Sequence, residues 1–124
     1  MPVALIVDDN ERNRKLAGII LSTAGFRTIE AGTGAEGLAL AARHVPDVIL
    51  MDLRLPDMDG TEAARRIGGE ERTARIPVVA VSALRLEGSG DWLEAAGFAG
   101  WIEKPLRIDT FADQVRRFCA EATG

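Results

Sequence analysis

The 124-residue sequence contains only one cysteine and one histidine. A single cysteine, Cys119, cannot form an internal disulfide or a thiolate cluster for zinc or iron–sulfur, and it fits a reducing, cytoplasmic location. We expect Cys119 to be a small packing residue. The histidine, His44, has no second ligand nearby in the sequence and is predicted to lie on the surface near the end of a helix.

Excess basic charge, long apolar runs and a nucleotide loop are also missing. Fifteen Lys and Arg residues stand against nineteen Asp and Glu residues, so the net charge is −4, which disfavours binding to nucleic-acid or lipid phosphates. The N-terminus lacks the basic lead and cleavage site of a secretory signal, and no apolar run reaches membrane-spanning length. The glycine-rich stretch 88–90 lacks the lysine and spacing of a phosphate-binding loop. We therefore expect neither nucleic-acid nor membrane partners.

The composition that remains is that of a folded domain, with 47% hydrophobic and 27% charged residues. Apolar runs at Val3–Val7, 48–51 and 78–81 occupy consecutive positions, which is typical of strands buried on both faces. Residues 26–31 include polar side chains and predict an edge strand, and Gly100–Glu103 would be the last strand. Amphipathic segments alternate with these runs, so a parallel sheet with helices on both faces is expected.

Apolar stripes predict which faces of the first and last helices are buried. Asn10 can cap the first helix and Gly25 suits the residue that ends it. The residues with three- and four-residue spacing are, in the first helix, Leu16, Ile19, Ile20 and Thr23, and in the last, Ile108, Phe111, Val115 and Phe118. We expect these two stripes to pack against the sheet.

The intervening helices have other start and stop signals. Thr33 with Glu36 has the spacing of a capping box, and Asp59 with Glu62 repeats it, so both are predicted helix starts. Asp57 is interpreted as a turn residue. The glycines at 68–69 would end the third helix. The fourth helix, over 87–96, contains two glycines and is expected to be short or mobile.

Polar residues lie where the predicted strands end, and they are Asp8, Asp9, Asp52, Ser82 and Lys104. The ends of parallel strands share one edge of the sheet, where ligands bind in such folds. Three carboxylates within about 5 Å would repel one another by about 3 kcal/mol per pair, so the cluster calls for a cation. Oxygen ligands with room for water and a phosphate oxygen suit Mg²⁺. The alternative is that the aspartates only cap helices.

These motifs resemble the receiver domain of two-component response regulators across essentially the whole chain, 1–124. The matching segments are IVDDN at 6–10, LMDLRLPDMDG at 50–60, VSA at 81–83 and KP at 104–105. Within that family the chain most resembles single-domain regulators of the cell-division type. The resemblance implies a single α/β domain with a flavodoxin-like, doubly wound sheet of five parallel strands in the order 2-1-3-4-5 and five helices.

The resemblance also assigns roles around the strand ends. It makes Asp52 the phosphoacceptor, taking a phosphoryl group from a sensor histidine kinase or a phosphotransfer protein. Asp9, Asp52 and the backbone carbonyl of Arg54 would ligate Mg²⁺ or Mn²⁺ directly, and Asp8 through water. Lys104 would pair with Asp52 at rest and with the phosphoryl group afterwards. The side chain of Arg54 would lie over the pocket, at a position that tunes the lifetime of the acyl phosphate.

The remaining assignments concern the switch and its output. Ser82 would donate its hydroxyl to the phosphoryl group and draw in the loop that contains Ala83 and Leu84. Trp101 stands at the switch position, where Tyr or Phe is usual, and is either a moving ring or a fixed partner anchor. Pro105 stands at a cis-proline position. An apolar patch could contain Leu84, Leu86, Trp92, Trp101 and Leu106; the default interpretation is that several of them simply pack into the core, and the resemblance makes this face one where receivers meet partners.

The output would be a protein target bound by the face of helix 4, strand 5 and helix 5, with the regulator a monomer or a phosphorylation-dependent dimer. The leading hypothesis is a stand-alone signalling switch, which catalyses only its own phosphorylation and dephosphorylation. A second is a Mg²⁺-dependent phosphatase with an aspartate nucleophile, but that class expects an acid where Arg54 stands. A third is a receiver module excised from a larger kinase or regulator.

Overall fold

The computed structural model describes the chain over residues 1–83 and 90–123. Within these ranges, strands and helices alternate as the sequence predicts. They are β1 (Val3–Val7), α1 (Glu11–Thr23), β2 (Arg27–Ala31), α2 (Gly34–His44), β3 (Val48–Asp52), α3 (Gly60–Gly69), β4 (Val78–Ser82), α4 (Gly90–Ala95), β5 (Gly100–Glu103) and α5 (Phe111–Thr123). None of the helices in this described part is long and apolar enough to cross a membrane.

The strands form one parallel sheet in the order β2-β1-β3-β4-β5, which confirms the predicted topology. The strand order reverses around β1, because β2 lies on one side of it and β3 on the other. β2 is an edge strand with exposed Arg27 and Glu30, as predicted from its polar residues. The carboxyl ends of β1 and β3 therefore form the switch point at which such folds bind their ligands.

The core consists of two apolar clusters, and the central strands contribute to both. Leu5 and Val7 of β1 belong to one cluster with residues of α2 and α3, whereas Ala4 and Ile6 belong to the other with residues of α1 and α5. Successive side chains of a strand point to opposite faces of the sheet. The unbroken apolar run of β1 thus follows from helices covering both faces.

The predicted buried stripe of α1 is partly wrong. Ile19 is 65% exposed and Leu16 is 37% exposed, while the buried residues of the helix are Ala17, Gly18, Ile20 and Leu21. The buried residues Ala17, Ile20 and Leu21, with Ala24 packed against the core, follow the same three- and four-residue spacing one position later. Both registers contain apolar residues, so the spacing alone does not decide which of them faces the sheet.

The stripe of α5 is confirmed at Phe111 and Val115, which are buried, and at Phe118, which packs against the core while partly exposed. The prediction is wrong for Ile108, which is 75% exposed. The helix begins at Phe111, so Ile108 lies in the preceding turn and does not follow the helical period.

The helix ends follow the predicted signals with one exception. The side chains of Asn10 and Thr33 accept hydrogen bonds from the amides of Asn13 and Glu36, and Gly25 after α1 has φ of 97°. Asp59 is the N-cap residue of α3, but its side chain makes no capping hydrogen bond.

The backbone of Asp59 instead forms an antiparallel bridge with Arg54 across the β3–α3 loop (residues 53–59). The first amide of α3, that of Gly60, donates to the carbonyl of Leu53 at 2.9 Å, so a backbone hydrogen bond replaces the predicted side-chain cap.

The described part of the predicted fourth helix is the six-residue α4. Residues 84–89, which include Leu84 and Leu86 of the predicted apolar patch, lie outside the described residues. Of the other patch members, Trp92 is 45% exposed. Trp101 packs against one core cluster and Leu106 against the other, both while partly exposed.

Candidate functional site

Three carboxylates meet at the carboxyl ends of β1 and β3. Oxygen atoms of Asp8, Asp9 and Asp52 all lie within 4.8 Å of one another. The β1–β3 register pairs Val7 with Met51, so the residue after each belongs to the same edge of the sheet. Asp8 is only 5% exposed, Asp52 is partly buried and Asp9 is exposed. The predicted acidic cluster is thus present.

Backbone amides orient one oxygen of each buried carboxylate. Asp8 Oδ1 accepts a hydrogen bond from the amide of Asn10 at 2.9 Å, and Asp52 Oδ1 accepts one from the amide of Arg54 at 3.1 Å. Both are contacts to the residue two positions on, a local turn that Asp favours. Each side chain is therefore fixed by the loop that follows its own strand, with the second oxygen left to face the pocket.

Lys104 lies between these second oxygens. Its Nζ is 2.8 Å from Asp8 Oδ2 and 3.2 Å from Asp52 Oδ2, and its side chain is 16% exposed. The amide of Lys104 donates to the carbonyl of Ser82 at 2.8 Å, which continues the β4–β5 pairing beyond β5. The Lys104–Pro105 peptide bond is cis, as the resemblance implied. We call Asp8, Asp9, Asp52 and Lys104 the acid pocket.

The ionisation of the acid pocket is set by burial and charge together. Burial raises the pKa of Asp52, and the neighbouring charge of Asp8 adds to this, although the Arg54 amide and Lys104 oppose it. Burial lowers the pKa of Lys104, but the hydrogen bond and charge of Asp8 and the charge of Asp52 outweigh it, so that pKa is raised overall. The lysine therefore remains a cation beside crowded carboxylates.

The other predicted site residues lie at or just after the end of β4, on β5 and in the β3–α3 loop. Ser82 ends β4 at the same sheet edge and is 4% exposed, and Ala83 after it is exposed. Trp101 pairs with Ala80 in the sheet and is partly buried. The side chain of Arg54 is exposed, in agreement with the expected position outside the core.

The donor set of the acid pocket fits a hard divalent cation. Carboxylate oxygens are the ligands that Mg²⁺ prefers, and a few of them leave coordination positions for water and a phosphate oxygen. The exposed Asp9 keeps one side of the pocket open to solvent. Asp8, Asp9 and Asp52 are the side chains that could hold the ion.

Two residues that support the site were not identified from the sequence. Arg14 donates from Nη1 to the carbonyl of Asp8 at 2.7 Å and pairs with Glu30 at 3.4 Å, so it braces the end of β1 against β2. Its place one helical turn after Asn10, facing back to the strand end, is the only signal that could have indicated this. Asp57, interpreted as a turn residue, accepts hydrogen bonds from the amides at the start of α2.

Gly60 is the third support that sequence reasoning missed. It is the first residue of α3, and a Cβ on it would collide with the carbonyl oxygen of Asp52. Its amide donates to the carbonyl of Leu53 at 2.9 Å. A glycine at 60 therefore allows α3 to begin directly against the end of β3.

The sheet order and the acid pocket define a doubly wound α/β domain with a divalent-cation type of pocket at its switch point. Residues 4–116 match the family described as the response regulator receiver domain. The chain belongs to this family, which confirms the resemblance seen in the sequence.

Individual proteins agree with this assignment. The polar-differentiation response regulator DivK of Brucella ovis is 35% identical over 118 residues, which are 95% of this chain and 96% of DivK. The chemotaxis protein CheY4 of Vibrio cholerae superposes with a TM-score of 0.89 at 27% identity, over 95% of this chain and 98% of CheY4.

A further solved relative is the receiver domain of a sensor histidine kinase from Pseudomonas aeruginosa. It has a TM-score of 0.86 and 30% identity, over 96% of this chain and 98% of that domain, and a magnesium ion is coordinated in its active-site cleft. The chain described here is thus a receiver of two-component signalling, a class that acts with histidine kinases or phosphotransfer proteins.

Proposed function

We propose that Asp52 is the phosphoacceptor of this response regulator and that the acid pocket is its reaction site. The observation that carries the proposal is the position of Asp52 at the end of β3, within 4.8 Å of two other carboxylates and 3.2 Å from Lys104. An acidic residue that only interacts with solvent does not need two neighbouring carboxylates and a lysine. A carboxylate that must accept a charged phosphoryl group does, because both reactants are negative.

The transfer forms one bond and breaks one bond. A carboxylate oxygen of Asp52 attacks the phosphorus of a phosphohistidine, the phosphorus–nitrogen bond breaks, and the imidazole leaves with its electron pair and takes up a proton. Asp8, Asp9, Asp52 and the backbone carbonyl of Arg54 would hold Mg²⁺, or Mn²⁺ in its place. When bound there, the ion would supply positive charge to the oxygens of the transferring group.

Lys104 provides the second positive charge of the pocket. At rest its ammonium group contacts Asp8 and Asp52. Once Asp52 carries the phosphoryl group, the same ammonium group can donate to a phosphoryl oxygen, and its compact charge suits phosphate. Hydrolysis of the acyl phosphate by water then returns the resting state, with Arg54 at the mouth of the pocket.

The switch proposed here runs from Ser82 to the far edge of the sheet. Its hydroxyl would donate to the phosphoryl group and move the loop that begins at Ala83, with Leu84 in it. That contact exists only in the phosphorylated state, so it shifts the population of conformations. Trp101 on β5 and Pro105 shortly after that strand would report the shift.

The proposed output surface is the face of α4, β5 and α5. A groove of about 720 Å³ lies between β5 and α5. Trp101 and Leu106 line it together with charged side chains such as Arg107 and Arg117. An amphipathic protein segment fits a surface with both characters. The partner on the input side is a sensor histidine kinase or phosphotransfer protein, and we place both contacts in the cytoplasm.

The proposal describes residues 1–124 as one receiver domain, monomeric or dimerising on phosphorylation. Self-catalysed phosphorylation and dephosphorylation would be its only chemistry. The phosphatase alternative is not favoured, because Arg54 occupies the position where that class needs a second acid.

Intact mass spectrometry after incubation with acetyl phosphate and Mg²⁺ tests the proposal. Wild type should gain the mass of one phosphoryl group, and Asp52→Asn should gain none. Asp59→Asn is a matched control, since Asp59 is an acid on the adjoining loop whose side chain makes no capping hydrogen bond. An unmodified wild type, or an adduct on the Asp52 variant equal to that on wild type, would contradict the assignment.

A further inference from the structure

The carboxylate of Asp57 connects the β3–α3 loop to the start of α2. Asp57 Oδ1 accepts from the amide of Gly34 at 2.8 Å and Oδ2 accepts from the amide of Ala35 at 2.9 Å. Although the residue is exposed, both of its oxygens are engaged. These hydrogen bonds lower the pKa of Asp57, so the group is an anion at a helix N-terminus, where negative charge is favoured. We call this pair of hydrogen bonds the α2 tie.

The α2 tie is not needed simply to begin the helix. Thr33 already caps α2, since its Oγ1 accepts from the amide of Glu36 at 3.1 Å. The side chain of Met58, next to Asp57, lies so close to Gly34 that a Cβ there would come within 2.5 Å of Met58 Cγ. The contact between loop and helix is therefore both polar and tightly packed, and it joins residues 23 positions apart in the chain.

The other end of the same loop is attached to the acid pocket. The amide of Arg54 donates to Asp52 Oδ1, and Arg54 pairs with Asp59 across the loop. The amide of Gly60 closes the loop on the carbonyl of Leu53. The loop is thus fixed at Asp52 by its own backbone, and the α2 tie fixes its outer part.

We propose that Asp57 is a positioning residue, which sets the backbone of the β3–α3 loop against the acid pocket through the α2 tie. The segment being positioned contains Arg54, whose amide contacts Asp52 and whose carbonyl is a proposed ligand of the cation. The inference rests on the proposed function, because it concerns the same pocket. Linkage is reciprocal, so a ligand that orders the loop also orders the start of α2.

The competing explanation is that Asp57 merely adds a second cap to α2. Thr33→Ala tests this, because it removes a cap from the same helix end without touching the loop. If Asp57 only caps α2, Asp57→Ala and Thr33→Ala should both lower stability, and the acid pocket should bind Mg²⁺ equally well in the two variants. If Asp57 positions the loop, only Asp57→Ala should weaken the binding of Mg²⁺ to the acid pocket.

The first measurement is the affinity for Mg²⁺ alone, by isothermal titration calorimetry at fixed ionic strength. Asp57→Ala should bind Mg²⁺ roughly tenfold more weakly than wild type, as for other groups that orient metal ligands from outside the coordination sphere. Asp57→Asn keeps one of the two acceptor oxygens, so its affinity for Mg²⁺ should lie between those of wild type and Asp57→Ala. Thr33→Ala should remain within about twofold of wild type, because it shares no partner with the pocket.

The second measurement is amide hydrogen exchange on wild type, which needs no variant to fold. Adding Mg²⁺ should slow exchange at the amides of Gly34 and Ala35 as well as at residues 52–54. Slower exchange confined to 52–54 would overturn the inference, as would equal Mg²⁺ affinities of Asp57→Ala and Thr33→Ala. Either result leaves the phosphoacceptor assignment intact, because that stands or falls on the phosphoryl adduct at Asp52.

Discussion

Two clusters of charged side chains have similar contact distances, but the pKa of Asp52 in one is raised and the pKa of Glu62 in the other is lowered. In the acid pocket, Lys104 contacts two aspartates at 2.8 and 3.2 Å, and burial raises the pKa of Asp52. On the outer face of α3, Glu62 contacts Arg65 at 2.7 Å and Arg66 at 3.0 Å. The hydrogen bonds from these arginines lower the pKa of Glu62 to about 2.

The difference lies in solvent access and in the balance of charge. The side chain of Arg65 is 71% exposed, whereas the side chain of Asp52 is 13% exposed. Water screens the α3 surface cluster (Glu62, Arg65 and Arg66), and two cations there serve one anion. The acid pocket has three carboxylates for one ammonium group and is partly buried, so repulsion between its carboxylates destabilises the fold, and a bound cation would relieve it. Unbalanced, partly buried charge therefore distinguishes the acid pocket, the proposed reaction site, from the α3 surface cluster.

The largest effect that would test this contrast should come from Lys104→Ala. Without its ammonium group, Asp8 and Asp52 lose their cation, and the free energy of unfolding should fall by about 2 kcal/mol in chelator. Mg²⁺ should restore much of the loss, since it neutralises the same oxygens. Urea denaturation with and without Mg²⁺ measures both.

Arg65→Ala is the matched control on the α3 surface cluster and should show no dependence on Mg²⁺. An equal Mg²⁺ response in the two variants would contradict the contrast.

A smaller effect of opposite sign is expected for Asp52→Asn. Removing a charge that is buried and repelled by Asp8 should raise Tm in chelator by roughly a few °C. Because the folded-state pKa of Asp52 is raised, its favourable contribution is present below its unfolded pKa near ~3.9 and is lost as pH rises through the folded value. The gain in Tm should therefore grow between acid and neutral pH.

Differential scanning calorimetry of both proteins across that pH range provides the measurement. A Tm difference that stays constant or shrinks with rising pH would show that the Asp52 charge is not the cause.

Coupling of the pocket to β5 should appear in the fluorescence of Trp101. Beryllofluoride with Mg²⁺ mimics the phosphoryl group, and a switching ring should change its emission by roughly a tenth or more when its surroundings change. Trp92→Phe removes the other tryptophan, which is 45% exposed. An unchanged spectrum alongside full ligand binding would identify Trp101 as the fixed anchor.

The smallest effect should come from Glu62→Gln, which we expect to change Tm by less than about 1 °C at neutral pH. Its pH dependence should run opposite to that of Asp52. The pKa of Glu62 is lowered, so its contribution is present above the unfolded value near ~4.3 and is lost as pH falls toward about 2. Thermal unfolding from pH 2 to 7 measures this sign, and salt should weaken the effect.

Much of the fold and most of the pocket could be predicted from the sequence. Consecutive apolar runs ending in Asp8 and Asp52 indicate two-sided strands, and the ends of parallel strands must share an edge. Lys104 after the last strand completes the pattern. These inferences depend only on the two-residue period of strand side chains and on the strands being parallel. Both can be inferred from the local sequence pattern.

The errors concern the buried face of one helix and the start of another. Ile19 and Ile108 have the apolar character of buried residues but are 65% and 75% exposed. The buried face of α1 runs through Ala17, Ile20 and Leu21, one position from the predicted stripe, and α5 begins only at Phe111. Apolar spacing fits either register of α1, and it does not state where α5 begins.

The sequence by itself determined the alternation of elements, the strand-end acids and the family of the chain. Only the tertiary structure decided that Asp57 reaches the amides of α2, that Arg14 braces Asp8 and that Gly60 lies against Asp52. The physical reason is that periodicity and capping act between near neighbours, whereas hydrogen bonds between loops depend on how complete elements pack. The supports of the site become visible only after the sheet has brought its strand ends together.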